Sequence, residues 1–470
     1  MASMTSMTNE SKVNPLGVEP VGKLVAQYAL PSVISMVVNS LYNMVDQVFI
    51  GQGVGYLGNA ATNIIMPLTM IVMALSMMFG NGAASYMSLQ LGRGNKKMAA
   101  RGVGNMITLT VGGGILLAVV FEIFITPLCR FFGGQGDVLA YALDYGRIVV
   151  FGTPVFCMGV SFGNVIRADG RPKESMVGLL VGCITNMILD PVFIFAFGWG
   201  VKGAAWATVI GQLLVAVYYI WCMRHFKTIK MSRGEFKLSW AVVWRISSIG
   251  FSSMITQAAT VFVIAIQNNL LVSCGAASIY GADIPLAAFG ITMKTSQLIM
   301  SIAMGIATGI QPVIGFNYGS LQFDRVKRTF RVALTACLVI MLVALFMFQV
   351  FPRTLISIFG KENELYMEFA VKCFRIYLSA VLFIPLGLVV GMFFQSVGQA
   401  LPAAILSLFR QVVILIPAMF IFAHFLGVEG LLWAGAFSDF TSGLIAILMA
   451  ALSWKSIFAL PQNGLKGHTT

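Results

Sequence analysis

Apolar residues run along this chain in long blocks, with charged residues confined to the segments between them. No Asp, Glu, Lys or Arg lies between Lys23 and Asp46, between Asp46 and Arg93, or between Arg101 and Glu122. The same holds from Lys202 to Arg224, Arg245 to Asp283, Arg331 to Arg353 and Arg375 to Arg410. Each gap accommodates the ~20 apolar residues that an α-helix needs to cross a bilayer. A membrane barrel would instead alternate apolar and polar residues over short segments. The pattern predicts twelve helices, near 25–51, 62–90, 102–127, 141–166, 175–198, 203–223, 246–272, 286–316, 332–351, 373–396, 401–424 and 430–453.

The chain also repeats itself. Gly200-Val-Lys-Gly-Ala-Ala-Trp206-Ala207 returns as Gly427-Val-Glu-Gly-Leu-Leu-Trp433-Ala434, and Gly82, Gly92 and Arg101 return as Gly309, Gly319 and Arg328, all at an offset of 227. Leu128 through Gly133 answers Leu355 through Gly360 at the same offset, and Arg147 and Gly170 answer Arg375 and Gly398 at 228. Ordered matches at one offset mark an internal duplication. The expected fold is therefore an all-α membrane protein, with twelve transmembrane helices in two pseudo-symmetric six-helix bundles. Its divisions fall at 1–23 (a polar leading segment), 24–223 (first lobe), 224–245 (basic linker), 246–453 (second lobe) and 454–470 (tail). Six is even, so both copies enter the membrane from the same side. Transporters built in this way place their site between halves that rock about it.

Composition agrees. Apolar residues make up 58% of the chain and charged residues 10%, too few to solubilise so much apolar surface. The net charge of +13 invites a nucleic-acid partner, but its placement argues against one. With both termini cytoplasmic, the inner loops and ends hold 21 Lys and Arg, and the outer loops only Arg130, Lys202, Arg353, Lys361 and Lys372. That bias is the positive-inside rule. It predicts a multi-pass protein of the cell (inner) membrane. The leading segment lacks the pattern of a cleaved signal peptide, so the first helix is expected to act as its own signal. The seven cysteines are scattered and read as small apolar packers, with no metal or disulfide pattern. The three histidines, His225, His424 and His468, have no ligand or nucleophile partners at useful spacing, so no enzyme is read here.

Ionisable groups inside the membrane are costly and point to function. In the first helix Asn39, Tyr42, Asn43 and Asp46 recur at spacings of three and four, which makes a polar stripe that must face protein or water. Pro31, earlier in that helix, removes a backbone hydrogen bond and should mark a kink. In the fifth helix Asn186 and Asp190 project together, with Pro191 just beyond, and Thr208 opens the sixth. If these helices pack together, they gather two carboxylates, an amide oxygen and a hydroxyl. Such hard oxygens suit a small cation. Equally, two adjacent carboxylates cannot both ionise cheaply, so one would hold a proton. No cofactor is expected, only H+ or Na+ as coupling ion. The seventh helix carries Gln257, Gln267, Asn268 and Asn269 but no acid, while Lys294 and Asp439 are read as a charge pair between the eighth and twelfth helices. Asn164, Gln257, Gln311 and Gln395 are candidates to line or gate a cavity.

These residues carry a family resemblance. Pro31 through Gly51, Leu91-Gly-Arg-Gly-Asn95, Asn164-Val-Ile-Arg167-Ala-Asp169-Gly170, the Asn186 to Pro191 segment and Gly203 to Thr208 together resemble the multidrug and toxic compound extrusion (MATE) transporters, in particular their bacterial DinF/MepA-like branch. The resemblance spans residues 20 to 455. It implies a twelve-helix antiporter, expected to act as a monomer, that exports amphipathic, often cationic small molecules in exchange for H+ or Na+ by alternating access. On that pattern Asp46, Asn186, Asp190 and Thr208 match the coupling residues. The chain lacks the second-lobe acids of some members. A flippase for lipid-linked precursors, from the same broader superfamily, is the alternative; its cavity should present several mid-membrane Lys or Arg, where this chain offers Lys294 and Arg410.

Overall fold

The computed structural model describes residues 14–281, 283–357 and 364–458. Parts of three expected features fall outside them: residues 1–13 of the leading segment, 459–470 of the tail, and 358–360 of the repeat. Among the described residues the regular structure is entirely helical.

Among the described residues there are twelve spans, taking one bent pair of segments as a single span. They are α1 (Val21–Val54), α2 (Tyr56–Gly92), α3 (Lys96–Phe131), α4 (Gly136–Phe151 and Thr153–Ala168), α5 (Pro172–Ala196), α6 (Gly200–Arg224), α7 (Trp240–Ala276), α8 (Asp283–Gly319), α9 (Phe323–Val350), α10 (Glu364–Ser396), α11 (Ala400–Leu426) and α12 (Val428–Phe458). Eleven are long and apolar enough to cross alone; α4 is a pair of segments bent by 52° at Gly152. The bend has a local cause. Pro154 has no N–H to give to the preceding turn, and it restarts the helix as one of the first residues of the second segment. Asn95 starts α3 by accepting the Met98 N–H at 3.1 Å. α1 runs through Pro31 without a break in its helix.

α1 to α6 form one lobe and α7 to α12 the other. Away from the termini each lobe has a separate apolar core. One is built on Ile65, Leu68, Phe121 and Ile125, the other on Leu271, Phe289, Phe369 and Phe374. At the end carrying both termini the cores merge across the lobes, with Phe79, Met87 and Phe162 packed alongside Ile246, Ile249 and Val313. The pair of bundles is thus closed at the terminal end and parted at the other.

The closed seam joins α2 to α7, α1 to α8 and α2 to α8. In a membrane, helices approach most closely where small residues meet. A side chain on Gly250 of α7 would collide with the Met78 carbonyl of α2, and one on Gly305 of α8 with the Val33 backbone of α1. Gly92 and its repeat mate Gly319 face each other across the seam, each with its Cα against the other.

Segments outside the spans brace this end. The Leu16 carbonyl accepts from Asn317 Nδ2 at 3.0 Å and Arg325 Nη2 at 3.1 Å, tying the leader helix Pro15–Val18 to the second lobe. The linker is no free tether. The Asp169 carboxylate accepts the N–H groups of Lys227 and Thr228 at 2.9 and 3.0 Å, and Ile229 is buried. Further on, the buried Asn105 amide donates to the Glu235 and Lys237 carbonyls and accepts the Ser239 N–H. Burial pushes the Asp169 carboxyl up from its ordinary value, and the linker hydrogen bonds oppose that push.

A side chain forced into the seam should part the lobes. Spin labels at the exposed Lys96 and Arg328, on opposite lobes at the terminal end, should report a longer separation in Gly250→Leu than in the parent. An unchanged distance distribution would contradict the close backbone packing described.

Candidate functional site

α1 delivers Asp46 into the first lobe, where it meets α4, α5 and α6. Asp46 is buried, and its carboxyl lies within hydrogen-bonding reach of that of Asp190, which is fully buried on α5. Two carboxylate oxygens cannot hydrogen bond unless a proton lies between them, nor sit together in a low dielectric unless a cation does. Asp46 Oδ1 is buried with no hydrogen-bond partner among the described residues.

Asn186, one helical turn before Asp190, orients it. With the amide turned to satisfy both neighbours, its nitrogen donates to Asp190 Oδ2 at 2.7 Å. Its oxygen accepts from the hydroxyl and backbone N–H of Thr208, each at 3.1 Å. Asn186 is therefore spent on positioning Asp190 against α6. Just beyond, Pro191 cannot donate to the helix ladder, and α5 relaxes into a π-helical turn over Val192–Ala196. Tyr42, half-buried on α1, lies beside both acids. So does Tyr145 on α4, which the sequence reading did not single out. A signal existed: Tyr141 and Tyr145 are four apart, two phenols on one face of a membrane helix. Asn39 is half-buried one turn before Tyr42, and Asn43 is exposed, with its Nδ2 donating to the Asn39 carbonyl at 2.7 Å.

The other candidates do not join this cluster. Asn164, Gln311 and Gln395 are at the closed seam: Gln311 bonds across the lobes, whereas Asn164 and Gln395 bond, each within its own lobe, to the Asn81 and Ser253 that do. Asn164 donates to Asn81 Oδ1 at 2.8 Å, and Asn81 donates to Ser253 Oγ of the second lobe at 3.0 Å. Gln395 reaches the same Ser253 at 2.9 Å and the Ile249 carbonyl at 3.1 Å. Gln311 crosses to Ser85 at 2.7 Å and to the Asn81 carbonyl at 3.2 Å. Gln257, one turn beyond Ser253, is half-buried and stays outside the network. Pro31 is buried on α1, its carbonyl accepting from Ser35 at 2.8 Å.

The expected Lys294–Asp439 pair does not form. Asp439 pairs instead with Arg410 of α11, whose Nε and Nη2 reach Oδ1 at 2.9 and 2.8 Å. The reason is local. α11 also carries a π-helical turn, Phe409–Leu415, which frees the Arg410 carbonyl to accept from Ser438 at 2.9 Å and so docks α11 on α12.

Comparison with known proteins places this geometry. The family model described as MatE matches residues 31–192 and 258–421, one stretch in each lobe. The multidrug export protein MepA of Staphylococcus aureus (strain MRSA252) is 25% identical over 438 residues, which is 92% of this chain and 94% of that protein. MepA of Staphylococcus saprophyticus is 24% identical over 434 residues, 90% of this chain and 92% of that one. A crystal structure of MATE in the straight conformation superposes with a TM-score of 0.88 at 21% identity, covering 94% of this chain and 98% of that one. An outward-facing multidrug resistance MATE family transporter of the MOP superfamily also gives 0.88 at 21% identity, with 95% and 99% covered.

Removing the amide that serves both Asp190 and Thr208 leaves buried polar groups unpaired. Asn186→Leu should cost about 1–3 kcal/mol, read as a lower melting temperature of the purified chain in detergent. Thr208→Val, which spares the bond to Asp190, should cost about 1 kcal/mol. Equal losses in the two variants would contradict the double role assigned to Asn186.

Proposed function

The chain belongs to the MatE family, and we propose that it is a secondary active exporter of amphipathic, often cationic small molecules, driven by inward movement of H+ or Na+ at Asp46 and Asp190. The observation that carries this reading is the contact between the two buried carboxyls, with an oxygen of Asp46 left unpartnered. A site that needs a cation or proton to be stable binds one whenever it is sealed from water. Asn186 and Thr208 hold Asp190 in place, while Tyr42 and Tyr145 wall the site. The names of the MepA relatives support multidrug export as the activity.

The coupling runs along α1. The helix carries Asp46, and 13 residues earlier it carries Val33, against which Gly305 of the other lobe is packed. At ~1.5 Å per residue these points are about 20 Å apart on one rigid rod. A change in the contacts of Asp46 that shifts or rotates α1 therefore changes the seam. The ion can drive this only through different affinities for the two lobe arrangements. With both termini cytoplasmic, as the distribution of Lys and Arg indicates, the arrangement seen is closed to the cytoplasm and open outward. The single chain contains both lobes and the whole site, so a monomer suffices.

Export of a fluorescent amphiphilic cation from proteoliposomes, with H+ and Na+ gradients imposed separately, tests this reading. One gradient should drive export in the parent. Asp46→Asn should insert and fold but lose at least about 90% of the gradient-driven rate, a loss of roughly 1.4 kcal/mol or more. Full-rate export by Asp46→Asn would refute the role of Asp46. Translocation of a labelled polyprenyl phosphate in place of the cation would favour the flippase.

A further inference from the structure

The terminal end of the seam carries a cluster of arginines that no acid answers. Arg93 caps α2, Arg101 is on α3 and Arg245 is on α7. All three lie close enough to the buried Tyr86 of α2 to act on its phenol through their charge. Packing explains the convergence. The Tyr86 ring is seated against Gly102, the neighbour of Arg101. Gly82, one turn before Tyr86, lets α7 approach at the Ile246 carbonyl, beside Arg245. Both lobes therefore contribute: Arg93 and Arg101 come from the first, Arg245 from the second.

None of the three has an ion-pair partner among the described residues. Arg101 Nε is buried with no hydrogen-bond partner among them. Arg245 reaches one acceptor, the Gly398 carbonyl, at 3.5 Å. The one acid of the linker, Glu235, is spent on the Ser232 N–H at 2.8 Å. Guanidiniums gathered without an anion repel one another. Arginine is also the side chain whose planar fork matches a phosphate.

The repeat offers a comparison. The corresponding corner of the other copy is formed by α8, α9 and α1. There Asn317, the mate of Gln90 at the offset of 227, donates to the Leu16 carbonyl at 3.0 Å. Arg325 donates to the Leu16 and Glu19 carbonyls at 3.1 and 2.6 Å. The leader segment thus supplies acceptors at that corner. The linker does not do so at this one. Its Glu235 and Lys237 carbonyls are taken by Asn105, and its Phe236 carbonyl accepts from Thr108 at 3.1 Å.

Depth identifies what does. α2 and α7 have 37 residues and α3 has 36. At ~1.5 Å per residue each is about 55 Å long, against a hydrocarbon core of ~30 Å, so roughly 12 Å of helix projects at each end. Arg101 and Arg245 are each five residues inside the terminal-side end of their helix, or about 8 Å. That is the level of the lipid headgroups. Trp240 and Trp244, 78% and 66% exposed on the same turns of α7 as Arg245, are the residue type that settles at this level.

We propose that Arg93, Arg101 and Arg245 bind the phosphate of one anionic phospholipid, whose chains run past Trp240 and Trp244, and that this lipid bridges the lobes while the seam is closed. The lipid is a fixed ligand of the seam rather than cargo, and the proposal stands apart from the exporter reading.

Native mass spectrometry of the full chain in detergent, titrated with phosphatidylglycerol or with phosphatidylcholine of the same chains, reads the first lipid bound. The parent should hold phosphatidylglycerol roughly tenfold more tightly than phosphatidylcholine, as arginines at headgroup depth support. Arg101→Gln should fold as the parent does, because its Nε has no partner to lose, and should bring the ratio to about threefold or less. Arg245→Gln should do the same. Arg328→Gln, at the repeat mate of Arg101 and exposed on the other lobe, should leave the ratio as it is. Gly250→Leu, which wedges the seam, should lower it; an unchanged ratio there removes the bridging role. Equal retention of both lipids by the parent, an undiminished ratio in Arg101→Gln and Arg245→Gln, or an equal loss in Arg328→Gln overturns the proposal. Millimolar inorganic phosphate should leave the preference intact; if phosphate abolishes it, the arginines serve a soluble anion and the lipid site is refuted.

Discussion

Two carboxyl groups touching inside an apolar wall cannot both be charged and alone. Asp46 and Asp190 are in that position, and much of the first lobe is arranged around it. Asn186 is fixed between Asp190 and Thr208, so Asp190 cannot swing away from Asp46 to relieve the contact. Pro191 and the π-helical turn after it end the regular ladder of α5 next to the acid. The phenols of Tyr42 and Tyr145 lie beside the two acids. Burial raises the energy of the charged pair far more than it would at a surface, where solvent screens. On the proposed reading, a proton or cation is bound here because the protein withholds the alternatives.

That local constraint matters beyond the lobe because α1 takes part in two kinds of contact. At one point it presents Asp46 to α5. Nearer the terminal end it meets α8 at backbone distance, with Gly305 against Val33 and Gly309 against Ala29. The seam is rigid in a specific sense. Its apolar contacts have no side-chain atoms to spare at the glycines, and its polar contacts are directional bonds among Asn81, Asn164, Ser253, Gln311 and Gln395. A packed interface of this kind is either joined or parted, with little between. The docked linker and the leader helix tied to Arg325 add to the joined state, because each spans lobes or braces the loops beside the seam.

Much of this was legible in the sequence because membranes impose simple rules. Twelve spans followed from gaps between charges, and the duplication from a constant offset. The polar stripe on α1 and the Asn186–Asp190 pair followed from helical periodicity. The pairings across helices were harder. Asn164, Gln311 and Gln395 read as cavity residues because an amide in a membrane helix advertises polarity without naming its partner. Only packing assigns those amides to the seam. Lys294 and Asp439 looked like a pair because opposite charges in apolar helices must be neutralised, yet Arg410 took that place through a π-helical turn with no signature in single-residue propensities. Tyr145 was passed over because an aromatic residue in a membrane helix is ordinary until its neighbours are known.

The duplication then has a physical meaning that the shared glycines alone do not convey. Two copies of one bundle supply the same order of helices, and the fifth helix of each carries a π-helical turn, Val192–Ala196 in α5 and Phe409–Leu415 in α11. A duplicated frame is free to change chemistry inside one copy, because only the seam must remain alike for the halves to close. Gly92 and Gly319 stay matched where they face each other. Asp190 and Ala418, which answers it at the offset of 228, do not. Shape kept alike at the seam, with chemistry diverging inside the lobes, lets the two halves close on each other while, among the described residues, only the first carries a pair of buried acids.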